Sequence, residues 1–275
     1  MFSPYYAWSR RHAGAEGADP LNHCALNVAL YGSARGRWAM TERGRRQVHR
    51  DAHALAIGPS ALEWIGDALR IEIDEVTVPW PHRLRGTVTL HPLHRYDHPY
   101  ELAPRHRWCP IAPTARVDVA LDGQRWSGRG YLDANQGDEP PGRAFRRWDW
   151  ARAHTAGDHG VVLYDVERID TGPMQLGLRF DAKGHIDTID ETDVPPAMPL
   201  PRSGWGIERI ARSESDTPAR VRRTLTDAPF YARSILSAKW LGEHVAAMHE
   251  SLSLARLERP WVQAMLPFRM PRRSG

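Results

Sequence analysis

Asp122-Gly123 constrains this chain more than any other pair, because it joins two runs whose side chains alternate. Val117, Val119 and Leu121 interleave with Arg116, Asp118 and Ala120 before it, and a return run follows from Gln124 to Asp133. A type I′ turn needs positive φ at both central positions, which Asp-Gly supplies, so residues 115–133 read as a β-hairpin. The same pattern recurs elsewhere. Leu69–Val78 alternates until Pro79 ends it, and Leu84–Leu90 follows as a second strand. Further strands are expected over Gly160–Ile169, Met174–Phe180 and Ala219–Leu225, with Asp181–Gly184 as a turn.

Four stretches break this rhythm. The opening Met1–Trp8 run is aromatic and strand-like, with no polar lead-in. Residues 134–150 form a polar, proline-bearing loop followed by aromatics, and a domain junction is expected close behind them. Pro195–Pro201 reads as a linker or long loop. Leu236, Trp240, Val245, Met248 and Leu252 give an imperfect apolar stripe, which predicts a helix over Ile235–Leu257. A strand competes with it near Phe230–Ala238. Two groups of strands around a central junction suggest two β-barrel-like halves.

Hydrophobic residues make up 41% of the 275, and charged residues 25%, enough to bury a core. Cys24 and Cys109 allow one disulfide at most and fit a reducing cytosol. The formal charge is 37 − 33 = +4, carried almost wholly by arginine. Those arginines alternate with acids, which argues against a nucleic-acid stripe. They read as a compositional preference, or as attraction to anionic lipid headgroups. No apolar run reaches the length of a membrane span, and residues 1–8 lack a charged-then-apolar signal pattern. Nucleotide-binding glycine motifs and the nucleophile elbow of hydrolases do not occur.

Several side-chain groups carry possible chemistry. If their segments are extended, His106 shares a face with Trp108, and Tyr131 shares one with Asp133. The Asp122-Gly123 register would turn Tyr131 and Asp133 away from Val117 and Val119, unless a glycine bulge flips the strand. Satisfied polar residues at a strand end would give the same pattern. Gly137-Asp138-Glu139 and Trp148-Asp149-Trp150 set acids beside aromatics, as a lined pocket or a capped loop would. His91, His94, Asp97 and His98 have metal-like spacing, but Pro92 and Pro99 break any helix that would align them. A histidine-rich surface loop is the better reading, and no metal site is expected.

FSPYYAW (2–8), DPLNHCALNVALYG (19–32), RWAMTERG (37–44), HRWCPIAP (106–113), GYLDANQGDEP (130–140), WDWARA (148–153) and APFYARS (228–234) resemble the bacterial carotenoid 1,2-hydratase (hydroxyneurosporene synthase) family. The resemblance implies a mostly β fold: two lipocalin-like β-barrel domains in tandem, 1–152 and 153–275, with a short C-terminal helical segment. Members carry a further segment before the first motif, so the first barrel is expected to lack its first strand or strands. The resemblance also implies no cofactor, and acyclic carotenoids such as neurosporene and lycopene as substrates. The family's His-x-Trp and Tyr-x-Asp pairs correspond to His106 with Trp108 and Tyr131 with Asp133.

Hydrating a terminal trisubstituted alkene needs a proton at C2 and a tertiary cation at C1 for water to capture. Asp133 is expected to supply the proton, held protonated by apolar walls. Trp108 and Tyr131 would stabilise the cation through their rings. His106 would orient water or take its proton, and the acid and base roles of Asp133 and His106 are interchangeable at this stage. Trp148 and Trp150 are expected to line the substrate. Because the substrate dissolves in lipid, a cytosolic protein in peripheral contact with the inner or photosynthetic membrane is expected. A non-catalytic carrier of a hydrophobic ligand would share the cavity, and a terpenoid or polyketide cyclase or isomerase would share the cation chemistry.

Overall fold

The computed structural model describes residues 3–32 and 36–273, so Met1 and Phe2 of the aromatic opening lie outside the described residues. The fold is mostly β. Two compact units divide the chain, one comprising Met1–Pro92, Arg116–Gly130 and Gln263–Gly275, the other Leu93–Ala115 and Tyr131–Val262.

The first unit opens with helix α1 (Pro4–Gly17), where a strand was expected. Ser3 decides the outcome: its hydroxyl accepts the Tyr6 N–H at 2.9 Å, and Pro4 sits at the first helical position, where a missing N–H costs nothing. Strands β1 (Cys24–Leu30) and β2 (Arg37–Arg43) pair antiparallel. An antiparallel meander follows: β3 (Val48–Arg50), β4 (Ala54–Ile57), β5 (Ser60–Ile65), β6 (Ala68–Val76) and β7 (Arg83–Pro92). Then come β8 (Tyr100–Ala103), β9 (His106–Leu121) and β10 (Gln124–Gly137). The strand order is β10-β9-β7-β6-β5-β4-β3, with β8 beside β9. The predicted turn is present, with φ 54° at Asp122 and 78° at Gly123. Ile73, Leu84 and Leu121 centre the core here, with Leu26, Val28, Val88 and Val119 against them.

Two buried glutamates tie this unit together. Glu42 accepts from the Ser3 hydroxyl and the Arg272 guanidinium, and lies 2.8 Å from His23 Nδ1. Glu75 accepts from Arg43 at 3.0 Å and Ser60 at 2.9 Å. A buried carboxylate is tolerable only when so paired.

Strand β9 changes its inward side along its length. His106, Trp108, Pro110, Ala112 and Thr114 are buried in the part belonging to the second unit. Beyond Arg116 the odd positions Val117, Val119 and Leu121 turn inward instead. The change falls at residues 112–115, four buried residues in succession.

The second unit continues with β11 (Phe145–His154), β12 (Gly160–Arg168), β13 (Pro173–Phe180) and β14 (Ile186–Thr188). β15 (Ala197–Leu200) and β16 (Arg209–Arg212) form a small separate sheet, so the expected Pro195–Pro201 loop contains a strand. β17 (Arg220–Asp227), β18 (Tyr231–Trp240) and β19 (Glu243–Ser253) complete a sheet of order β14-β13-β12-β11-β19-β18-β17. The helix predicted over Ile235–Leu257 is therefore a β18–β19 hairpin. Leu241 and Gly242, at φ 50° and 82°, make its tight turn, and Ala232, Ser234, Leu236, Ala238 and Trp240 alternate inward. The expected C-terminal helical segment begins later, as α2 (Leu254–Leu257) and α3 (Pro260–Arg269), before the short β20 (Arg272–Arg273).

One side of the β11–β19 sheet packs Ala151, Ala153, Leu163, Leu236 and Ala247 against Val194, Leu200 and Ala211. The other side carries Trp148, Trp150 and Arg152, because adjacent positions on a strand point oppositely. Neither large sheet closes on itself in the described strand pairing, so the expected closed barrels are open sheets here. No helix among the described residues is long and apolar enough to cross a membrane.

Candidate active site

Asp133, on β10, is the centre of a built polar group inside the second unit. Its Oδ2 accepts the indole N–H of Trp108 at 2.7 Å and the Tyr131 hydroxyl at 2.8 Å. Trp108 is fully buried, while Tyr131 and Asp133 keep a narrow exposure. Lost hydration pushes the Asp133 carboxyl above its usual range, and the two donors pull back only part of that rise. Burial likewise pushes the Tyr131 phenol well up, so it donates as the neutral group.

Aromatic rings enclose this carboxyl. Trp108 meets Tyr164 edge-to-face with centroids 5.7 Å apart, and Trp150 lies 5.3 Å from the Tyr131 ring. The register explains the grouping, since Trp150 pairs with Tyr164 on β12 and with Glu250 on β19. Arg152, two residues on from Trp150, sets its guanidinium 4.7 Å from the Tyr131 centroid. Glu250 is held by Arg233 at 2.7 Å. Glu250 raises the Asp133 pKa and Arg152 lowers it, as charges of those signs must.

His106 is buried beside Phe145, with ring centroids 5.0 Å apart. Burial lowers its pKa, which favours the neutral imidazole. Phe145, Trp148 and Tyr164 continue as edge-to-face rings from His106 to Trp108. Gly137 is required here, because a Cβ on it would lie 2.5 Å from His106 Nδ1. Two buried nitrogens of this group, His106 Nε2 and Trp150 Nε1, have no hydrogen-bond partner among the described residues. Buried donors and acceptors are normally paired, so these two suit a water or a ligand hydroxyl.

The opposite side of β11 holds a second polar group. Asp149 accepts from the Ser251 hydroxyl and the Ile210 N–H, and His249 contacts the Ile210 carbonyl at 2.8 Å. Burial pushes Asp149 up to about 7 and His249 down to about 4. A cavity of about 310 Å³ lined by Arg147, Asp149, Asp165, Glu167 and Ile210 lies here.

Of the residues singled out from sequence, Trp108, Tyr131 and Asp133 are hydrogen-bonded together, and Trp150 packs on them. Trp148 touches Tyr164 and Phe145, and His106 joins through those rings. Arg152, Tyr164 and Glu250 escaped the sequence reading. The alternation of Trp148, Trp150 and Arg152 could have found the arginine, but Tyr164 and Glu250 come from pairings across three strands. The histidine cluster disperses: His91 lies 3.3 Å from Asp118, His94 contacts the Ala182 carbonyl, and His98 packs on Tyr100. Among the described residues no three ligating side chains gather. Cys24 and Cys109 are both free thiols.

Fold and site define a β-sheet protein that holds a partly desolvated carboxyl beside aromatic rings. All of residues 1–275 match the family described as carotenoid hydratase CrtC. Acyclic carotenoid 1,2-hydratases from Rubrivivax gelatinosus and Thiocapsa roseopersicina are 48% and 49% identical across this whole chain, which covers 68% and 67% of theirs. That of Cereibacter sphaeroides is 38% identical, with 96% of its length covered. The crystal structure of an AttH-like protein from Nitrosomonas europaea superposes with a TM-score of 0.60 at 14% identity, over 83% of this chain and 80% of that one, a likeness of fold alone. The chain belongs to the carotenoid hydratase family.

Proposed function

We propose that this chain is an acyclic carotenoid 1,2-hydratase of carotenoid biosynthesis, adding water across the terminal C1–C2 double bond. Neurosporene and lycopene are the substrates in view. The observation that carries this reading is the Asp133 carboxyl, desolvated and held by Trp108 and Tyr131 among aromatic rings. Both donors end on Oδ2, so Oδ1 is the oxygen that carries the transferable proton.

The alkene π pair takes that proton at C2 and leaves a tertiary cation at C1. The Trp108 and Tyr131 ring faces stabilise the cation, each by up to about 2 kcal/mol when desolvated. As Asp133 becomes a carboxylate, its two hydrogen bonds strengthen, because charge-assisted bonds are the stronger kind. A water lone pair then closes the C1–O bond. His106, neutral and with no hydrogen bond at Nε2, which faces Glu139 at 3.8 Å, takes the proton that the oxonium releases and returns it through solvent to Asp133. Trp148 and Trp150 line the polyene, and the Trp150 N–H holds the incoming water. These steps use only side chains of this chain and water, so the reading calls for no cofactor.

The lipocalin-like reading belongs to the same proposal: two parts in tandem, meeting near residue 152. Its support is the up-and-down antiparallel order of β3 to β7. Since an acyclic carotenoid dissolves in lipid, a cytosolic protein working against the inner or photosynthetic membrane fits the substrate.

The test is Asp133→Asn in folded protein, incubated with lycopene or neurosporene, with the pigment then weighed by mass spectrometry. Hydration is expected to fall about 10²- to 10⁴-fold, the usual contribution of a general acid. Wild-type turnover in the variant would remove Asp133 from the role of acid.

A further inference from the structure

Arg152 stands among the rings of the candidate site and takes no step in the hydration chemistry. Its guanidinium lies over one face of the Tyr131 ring, 4.7 Å from the centroid, and leaves the other face to a substrate. The hydroxyl of that same ring donates to Asp133 Oδ2 at 2.8 Å. One aromatic ring therefore links a fixed positive charge to the acid. A second contact holds the charge in place. Arg152 Nη1 donates to His154 Nε2 at 3.1 Å, since an arginine can only donate. Both residues belong to β11, two positions apart and so on one face.

The acid that could have paired with Arg152 is taken. Glu250 lies across from Trp150 on β19, but Arg233 on β18 binds it at 2.7 Å. Among the described residues no carboxylate is within ion-pair distance of Arg152. A half-buried guanidinium with no carboxylate beside it is costly to keep, so its placement calls for another account. A direct pair with Asp133 would fix that group as the carboxylate and end its use as an acid. Held one ring away, the charge favours the carboxylate without taking the proton outright. The other titratable groups that interact with Asp133 are Tyr131, Tyr164, Glu250 and Cys109, and none of them is a cation.

We propose that Arg152 is a positioning residue for the acid: it seats the Tyr131 phenol against Asp133 and supplies the counter-charge while Asp133 is a carboxylate. The order of events sets the need. When the alkene takes the proton, the new carbocation balances the carboxylate. Water then closes the C1–O bond, the oxonium gives its proton to His106, and the product is neutral. Once His106 has passed that proton to solvent, the carboxylate stands alone in a desolvated place until a proton returns. Arg152 is the cation stationed there for that interval. The inference rests on the hydratase reading for the reaction, while its electrostatic basis is independent of it.

The experiment compares Arg152→Met with Arg152→Lys in the full chain, with a urea melt of each to verify folding and Arg152→Gln as the second neutral variant. Methionine keeps an apolar chain over Tyr131 and removes the charge, whereas lysine keeps the charge. The Asp133 carboxyl is titrated by infrared difference spectroscopy with no carotenoid present, its band assigned by its loss in Asp133→Asn. The midpoint is expected to move to higher pH in Arg152→Met and to stay near wild type in Arg152→Lys. With lycopene, Arg152→Met is expected to lose about tenfold in kcat at unchanged KM, and Arg152→Lys to recover most of that loss. In the Asp133→Asn background, Arg152→Met is expected to cost nothing further. An unmoved midpoint in both neutral variants would overturn the inference. So would a lysine variant no better than methionine, or a full loss in the Asp133→Asn background. A protein whose Asp133 midpoint responds to Arg152 but which never hydrates would overturn the hydratase reading and leave the place of Arg152 standing.

Discussion

Trp108 donates its indole N–H to Asp133 Oδ2 across 2.7 Å, from a position wholly removed from solvent. A tryptophan N–H can only donate. The bond therefore marks Oδ2 as a permanent acceptor and leaves the proton of the acid form to Oδ1. Two opposing effects meet on one carboxyl: burial keeps the proton on, and the donors make it easier to lose.

Tyr131→Phe separates those effects. Removing a donor to the carboxylate raises the Asp133 pKa further. In the proposed mechanism the acid form is the working form, so the alkaline limb of the hydration rate should move to higher pH. The plateau rate should fall about tenfold, because the conjugate base is less well stabilised. A pH–rate profile whose alkaline limb stays in place or moves down would contradict the assignment.

Gly137→Ala should disable His106 without unfolding the protein. The added methyl would lie 2.5 Å from His106 Nδ1 and 3.3 Å from the Arg105 carbonyl, so the imidazole must shift from its place. Hydration is expected to drop at least tenfold, with a stability loss of about 1–3 kcal/mol. Product analysis alongside a urea melt checks both, and a wild-type rate would argue against any part for His106.

Asp149 and His249 predict stability slopes of opposite sign. Asp149 rises from 3.8 to about 7, so between those values the native state keeps a proton that the unfolded chain releases, and stability falls as pH rises. His249 drops from 6.5 to about 4, so over that window the unfolded chain binds the extra proton, and stability rises with pH. The two nearly cancel in the wild type. Asp149→Asn should expose the rising slope and His249→Gln the falling one, each approaching about 1.4 kcal/mol per pH unit. Urea melts from about pH 4.5 to about pH 6.5 test it. Two variants with slopes of the same sign would refute it.

Gly86→Ala should cripple folding of the first unit. A Cβ there would run into the Ala120 carbonyl and the Leu121 backbone, neither of which can rotate away. We expect a loss of about 3 kcal/mol or more, read as a lowered denaturation midpoint. A midpoint equal to wild type would mean that β7 and β9 separate here at little cost.

The parts of this structure legible in sequence were those decided locally. Asp122-Gly123 specifies its own turn, and the flanking alternation fixes the strands. Ser3-Pro4 also carried a local signal, a helix cap, which the aromatic residues after it obscured. At Ile235–Leu257 the apolar positions satisfy a helical and an alternating pattern together, and Leu241-Gly242 settles the matter by turning the chain. The candidate site was legible as two residue pairs, through resemblance. Tyr164 and Glu250 were out of reach, because their place beside Trp150 depends on pairing among β11, β12 and β19. The side on which Asp133 lies was equally hidden, because β9 does not keep one inward side throughout.

That change of side in β9 sets a rule for how this chain can vary in length. An insertion or deletion of one residue between Arg116 and Leu121 would reverse every side chain from there to the Asp122-Gly123 turn, exposing Val117, Val119 and Leu121. The same event between His106 and Thr114 would instead swing Trp108 off Asp133. Only an even number of residues leaves the phase intact, so natural length changes should be found in the loops that flank the ribbon.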